Sequence, residues 1–211
     1  MRKILIILVV SLLAISVNAQ YVGYTILNDL TKFKAGFSEA AQRTTSIKSD
    51  FVQEKNLSML SEKIISKGKF WFKKESQVRM EYSAPFQYLM IINKDKVFIK
   101  DGQKQNTIST KSNKLFQQIN KITVDCVQGN VLNNTDFKVK LFENKGTYLV
   151  ELSPIPKNLK EFFKSINVIV DKKDYAVTSI DMNEQSGDNT IIRFTNKEMN
   201  ATIPDTFFTI N

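Results

Sequence analysis

A period-two alternation of apolar and polar side chains through residues 66–85, SKGKFWFKKESQVRMEYSAP, limits this chain's fold more than any other feature. Gly68, Phe70 and Phe72 fall on one face, and Lys67, Lys69, Trp71 and Lys73 on the other. After a short connection, Val78, Met80 and Tyr82 alternate with Arg79 and Glu81. Such alternation suits an antiparallel strand with one buried face, and a helix cannot reproduce it. Two neighbouring strands therefore present large, soft apolar side chains on a common face. That face either fills a core or lines a cavity.

The pattern recurs along the chain. Residues 47–55 read as a strand, followed by a polar connection at 57–62 and a second strand at 64–73. Strands are expected at 78–82, 87–93, 96–100 and 105–110; Tyr88, Met90 and Ile92 share a face, and Asp101-Gly102 marks a turn. Further strands are expected at 137–142, around Tyr148, Val150 and Leu152, and at 166–170, 176–182 and 190–195, with a last apolar piece at 207–210. Two stretches change to helical period. In 24–45, Ile26, Leu27, Leu30, Phe33, Phe37, Ala40 and Ala41 form one stripe, with Gly36 a point for a bend or break. In 111–122, Leu115, Phe116, Ile119 and Ile122 are apolar and Ser112 is placed to cap the helix; further turns are expected up to Gly129. Many short strands with two helical inserts imply an antiparallel sheet that curls around something, without an internal repeat or a second domain.

The first twenty residues, MRKILIILVVSLLAISVNAQ, join a basic start (Arg2, Lys3) to an apolar run and small residues. This is the pattern of a secretion signal, with Val17 and Ala19 at the −3 and −1 positions, cleavage after Ala19 and Gln20 first in the mature chain. No cysteine lies near that point, so lipidation there is not expected. The remaining roughly 190 residues are the size of one domain with a real core. The formal charge of +9 falls to about +7 without Arg2 and Lys3. A basic surface suits an acidic partner, and export argues against nucleic acid.

Chemistry is thinly provided. The chain has no histidine, which removes the commonest metal ligand, the commonest general base and any serine–histidine or cysteine–histidine arrangement. A structural zinc site is excluded in practice, and no cofactor is expected. Cys126 is the only cysteine and reads as a small buried residue. Asp171 and Asp174 read as turn residues, and the seven glycines are too scattered to cradle a phosphate. By contrast there are fifteen phenylalanines and six methionines, many on the expected inner faces. A sheet of about ten strands is too wide to be filled by its own side chains alone, and methionine and phenylalanine adapt to ligands of varied shape. Binding is expected, and catalysis is not.

In order, FVQEK (51–55), GKFWFKK, VRMEYSAP and YLMIINKDKVFIKDG resemble the strands of the periplasmic outer-membrane lipoprotein carriers, the LolA-like family. The resemblance extends over the mature chain. It implies an unclosed antiparallel β-barrel with a helical lid over an apolar cavity, and a periplasmic monomer. Such a monomer takes acylated lipoproteins from an inner-membrane lipoprotein-releasing transporter complex and delivers them to an outer-membrane acceptor. The expected cavity residues are Phe51, Phe70, Phe72, Val78, Met80, Tyr82, Tyr88, Met90 and Ile92, and the lid carries Leu115, Phe116 and Ile119. The family's lid-latching arginine falls at Lys74, which keeps the charge and loses the planar fork; Arg79 on the next strand is the alternative latch. The competing readings are a lipid or lipoprotein sensor or scaffold that binds free lipid or another apolar ligand, and an enzyme acting on lipid or cell wall. The sensor more often carries a further domain, and the enzyme needs an acid, base or nucleophile cluster.

Overall fold

The alternation resolves into one antiparallel sheet in the computed structural model. The model describes residues 21–210 apart from 75, 95, 103, 110–121, 123–124 and 127–129. The expected signal segment and the expected lid residues Leu115, Phe116 and Ile119 lie outside the described residues. Twelve strands are present among those described: β1 (Thr25–Ile26), β2 (Ser46–Leu57), β3 (Glu62–Lys73), β4 (Gln77–Ala84), β5 (Tyr88–Asn93), β6 (Lys96–Asp101), β7 (Lys104–Ser109), β8 (Phe137–Glu143), β9 (Thr147–Pro154), β10 (Phe163–Asp171), β11 (Val177–Glu184) and β12 (Asn189–Met199). Their order is β1-β8-β9-β10-β11-β12-β2-β3-β4-β5-β6-β7. Two meanders, β2–β7 and β8–β12, are thus sewn together by β12 against β2, and β1 and β7 are the free edges of a barrel that does not close.

The longest ladder is the β2–β3 hairpin, paired without a slip from Ser46↔Lys73 to Leu57↔Glu62. Because side-chain direction has period two, one slip would turn every apolar residue of a strand to the wrong face. One irregularity falls between Lys67 and Gly68 on the β3–β4 side. There a Cβ on Gly68 would lie 2.1 Å from the Glu81 carbonyl oxygen, so only glycine lets the two backbones approach this closely.

Helix α1 (Thr31–Arg43) covers the inner face of the second meander. Phe33 and Phe37 stack at 5.3 Å, and Phe33 tilts onto Tyr148 at 4.7 Å. Beneath them Val150, Leu152, Ile166, Val168 and Val170 are fully buried. Each such side chain contributes about 1.5–3 kcal/mol on burial. The helix starts later than the stripe from residue 24 suggests. The Asp29 carboxylate accepts the Thr31 N–H at 2.9 Å, which sets the first turn, and Thr25–Ile26 instead pairs with β8. Leu27, ahead of the helix, and Leu30, its N-cap residue, still pack against the core, so the apolar stripe before residue 31 reflected burial and not helix. Gly36 neither bends nor breaks the helix. It is where α1 presses on Tyr175, and a Cβ would lie 2.3 Å from that ring.

The outer face is covered by the ends of the described chain. Tyr21 packs edge-on against Phe142 and hydrogen-bonds to Glu151 and Asn167. The final residues cross the outer face of β3 and β5 as a strap, where Ile203 and Phe208 bury against Trp71 and Ile91. The apolar piece at 207–210 belongs to this strap: it joins a 3₁₀ turn, Asp205–Phe208, and is not a thirteenth strand.

Candidate functional site

Part of the inner face lies beyond the reach of α1. A cavity of about 340 Å³ lies there, walled on one side by β3–β5 and on the other by β10–β12. Phe70 comes from β3; Val78, Met80 and Tyr82 from β4; Tyr88, Met90 and Ile92 from β5. These are adjacent rungs of one face, since Phe70 pairs with Met80, Met80 with Met90 and Tyr82 with Tyr88. Phe51 and Phe72 are fully buried in the same apolar cluster and do not line the cavity. Phe51 supports the wall from there, its ring edge-on to Tyr82 at 4.9 Å, and Tyr82 in turn meets Tyr88 at 5.4 Å.

The opposite wall was harder to foresee. Ile180 and Met182 of β11, Ile192 and Phe194 of β12, and Phe162, Phe163 and Ile122 complete it. Alternation marks the strand residues of this group as inward. Nothing local says that they face β4 and β5, because that proximity arises only when β12 joins β2.

The cavity is apolar except near one end. There the Tyr82 hydroxyl donates to the Gln53 amide oxygen at 2.9 Å. Lys55 donates to Glu184 at 3.3 Å, and the Thr190 hydroxyl donates to the same carboxylate oxygen at 3.1 Å. Burial, and then Tyr88, push the Tyr82 phenol up to about 12. Tyr88 is raised by burial and by Asp101. Both are therefore neutral hydroxyls at any physiological pH, so they bond to a ligand's polar atoms without adding charge. No group of three or more acidic, cysteine or histidine side chains able to hold a metal ion occurs among the described residues. Cys126 is fully buried, and burial followed by Asp125 raises its thiol. A buried thiol in this state is a packing group and not a nucleophile.

A smaller cavity of about 40 Å³ lies under α1, and Phe70 and Phe194, 5.2 Å apart, line both cavities. The Ser49 hydroxyl, also on its wall, is buried without a hydrogen-bond partner among the described residues.

The two latch candidates separate. The Lys74 ammonium donates to the Gln42 carbonyl oxygen, and its backbone N–H donates to the Thr45 carbonyl oxygen at 2.9 Å. Lys74 thus ties the β3–β4 connection to the C-terminus of α1, where a cation also complements the helix dipole. Arg79 cannot substitute for it. Alternation sends Arg79 to the outer face, where it donates to the Phe207 carbonyl oxygen at 3.1 Å and to Glu81 at 3.1 Å. Its guanidinium also lies over the Trp71 and Phe207 rings, so Arg79 fastens the C-terminal strap.

The model of the family described as outer membrane lipoprotein carrier protein LolA matches residues 42–211. Among solved structures, the chain is similar to a LolA superfamily protein from Nitrosomonas europaea, at 12% identity and a TM-score of 0.46, covering 84% of this chain and 97% of that one. It is similar to MucB at 13% identity and a TM-score of 0.52, covering 87% of this chain and 63% of MucB. An uncharacterized conserved protein from Thermus thermophilus gives 7% identity and a TM-score of 0.50, covering 87% and 95%. At these identities the likeness speaks to the fold alone. No curated protein sequence matches significantly. The curled, unclosed sheet and a family match over most of its length place this chain in the outer membrane lipoprotein carrier protein LolA family.

Proposed function

We propose that this protein is a periplasmic carrier that shelters the acyl chains of lipoproteins between the inner and the outer membrane. The observation that carries this reading is the apolar cavity of about 340 Å³ between the inward faces of the two meanders. Each buried methylene contributes about 0.8 kcal/mol, so an acyl chain lodged against Met80, Met90 and Ile92 is held firmly without any charged contact. The neutral tyrosines and the Lys55–Glu184 pair at one end suit the ester and amide groups where acyl chains meet a polypeptide. Release follows from a conformational equilibrium: a ligand favours the closed form only by its differential affinity, and a partner that favours the open form reverses it. Among the described residues the cavity lining is mostly apolar, which suits a carrier better than an enzyme.

The same reading makes residues 1–19 an export signal cleaved after Ala19, and the mature chain a monomer. Its donor is an inner-membrane releasing complex, and its recipient an outer-membrane acceptor. The test is to purify the protein from a diderm host making a tagged triacylated lipoprotein and to identify bound species by mass spectrometry, beside Met80→Glu. Lipoprotein on the wild type and none on the folded variant is the expected result. Free lipid alone would point to a lipid shuttle or sensor, and an empty, folded wild type would sink the proposal.

A further inference from the structure

In an antiparallel meander, alternate connections gather at the same end of the sheet. The β2–β3, β4–β5, β9–β10 and β11–β12 connections share one end, and the β3–β4, β5–β6, β8–β9 and β10–β11 connections share the other. The two ends differ in chemistry. At the second, the described turn residues are mostly polar: Lys74 and Ser76, Lys94, Asn144–Gly146 and Lys172–Asp174. At the first, large apolar side chains stand in solvent. Met59 is 91% exposed and Leu60 64% at the β2–β3 tip, and Phe86 is 77% exposed at the β4–β5 turn. Ile155 and Phe162 are also exposed on the β9–β10 connection. Solubility disfavours such residues at tips, and a fold that keeps five at one end and polar turns at the other presents a contact surface.

This end is also the mouth of the cavity. Gln53, Lys55, Tyr82, Tyr88 and Glu184, the cavity residues nearest these connections, form its polar end, and Phe162 both lines the cavity and is exposed. An apolar path therefore runs from the tips to the cavity wall. The tips project from three separate connections rather than from one continuous patch, so they suit a deformable partner better than a shaped one. Exposed Lys67, Lys100, Lys157 and Lys160 stand among them, beside exposed Glu62, Asp101 and Glu161, so ammonium groups are within reach of headgroup phosphates without this end being strongly basic. Apolar tips interspersed with ammonium groups match the interface of an anionic bilayer, the tips entering the acyl boundary and the lysines meeting headgroup phosphates.

We infer that the mouth end, through Met59, Leu60, Phe86 and Phe162, docks reversibly on an anionic lipid bilayer, so that acyl chains pass between membrane and cavity without crossing water. This inference rests on the carrier reading. Its test uses flotation of the purified protein with vesicles of phosphatidylethanolamine and phosphatidylglycerol, and with phosphatidylcholine alone. In parallel, binding of a fluorescent long-chain fatty acid is measured in solution. The variants are Met59→Ser/Leu60→Ser/Phe86→Ser, Phe86→Ser alone, Ile26→Ser as an exposed apolar control on β1, and Met80→Glu.

Wild type and Ile26→Ser should float with the anionic vesicles. The triple variant should partition at least tenfold more weakly, with Phe86→Ser intermediate, while fatty-acid binding is unchanged. Wild type that floats with neither vesicle overturns the inference, as does a triple variant that floats like wild type. Wild type that ignores vesicles and is captured through the same residues by a membrane protein also overturns it, in favour of a protein partner. Wild type that floats but binds no fatty acid leaves the docking result standing and removes the carrier reading instead.

Discussion

The two meanders use the same alternation to opposite ends. In β8–β11, inward residues such as Val150, Ile166 and Val168 are sealed under Phe33 and Phe37 of α1. In β3–β5, inward residues of similar character face a cavity, and Tyr82, Tyr88 and Met90 remain partly exposed. Residue type does not separate them, since both faces carry aliphatic and aromatic side chains at every second position. What separates them among the described residues is α1, which supplies a second apolar layer over one face and does not reach the cavity wall. Gly36 marks the boundary condition: α1 can sit this low because nothing stands between its backbone and the Tyr175 ring.

The comparison breaks most visibly under truncation. Phe33→Ala should destabilise the protein by about 3–5 kcal/mol, the range for a large core side chain, whereas Met90→Ala should cost roughly 1 kcal/mol or less and weaken ligand binding instead. Urea unfolding of both, with fatty-acid binding alongside, checks this; equal stability losses would mean that the cavity wall is ordinary core.

A pH experiment probes the cavity side. The Tyr82 pKa is raised from 10 in the unfolded chain to about 12 in the folded one. Its contribution is therefore fully present below pH 10 and is lost as pH rises through about 12, for a total of roughly 2–3 kcal/mol. Tyr82→Phe should flatten the fall in stability between these limits relative to wild type, measured by denaturant midpoints. An unchanged slope would show that Tyr82 is solvated and the cavity wetter than its walls suggest.

On the packed side, Gly36→Ala should be destabilising by about 1–2 kcal/mol despite alanine's better helix propensity, because its Cβ meets the Tyr175 ring. Thermal unfolding decides; a raised melting temperature would place α1 farther from the sheet. The smallest effect concerns Ser49, at the border of the two regions. Its hydroxyl is buried without a partner among the described residues, so Ser49→Ala should be stabilising by about 1 kcal/mol. A loss of stability would reveal a bound water or other partner that satisfies the hydroxyl.

Much of the site could be read from residues. Alternation placed Val78, Met80 and Tyr82 on one face and Tyr88, Met90 and Ile92 on one face, and the pairing of β4 with β5 makes those a single surface. The same rule, followed strictly, already excluded Arg79 from that surface. Phe51 and Phe72 share the inward direction but are buried beside the cavity and do not line it, because direction is a property of the strand and burial a property of its neighbours. The stripe from residue 24 failed for a related reason: apolar spacing reports burial, and Leu27 and Leu30 are partly buried against the core ahead of the first helical residue, Thr31.

By itself the sequence determined the strand faces, the class of sheet and a family resemblance, all of which depend on side-chain type and local period. Only the tertiary structure decided that β12 joins β2, that α1 packs on the inner face of β8–β10, that Lys74 holds α1 while Arg79 holds the C-terminal strap, and that apolar tips gather at one end of the sheet. These are contacts between residues far apart in the chain, and local periodicity carries no information about which distant surfaces will meet.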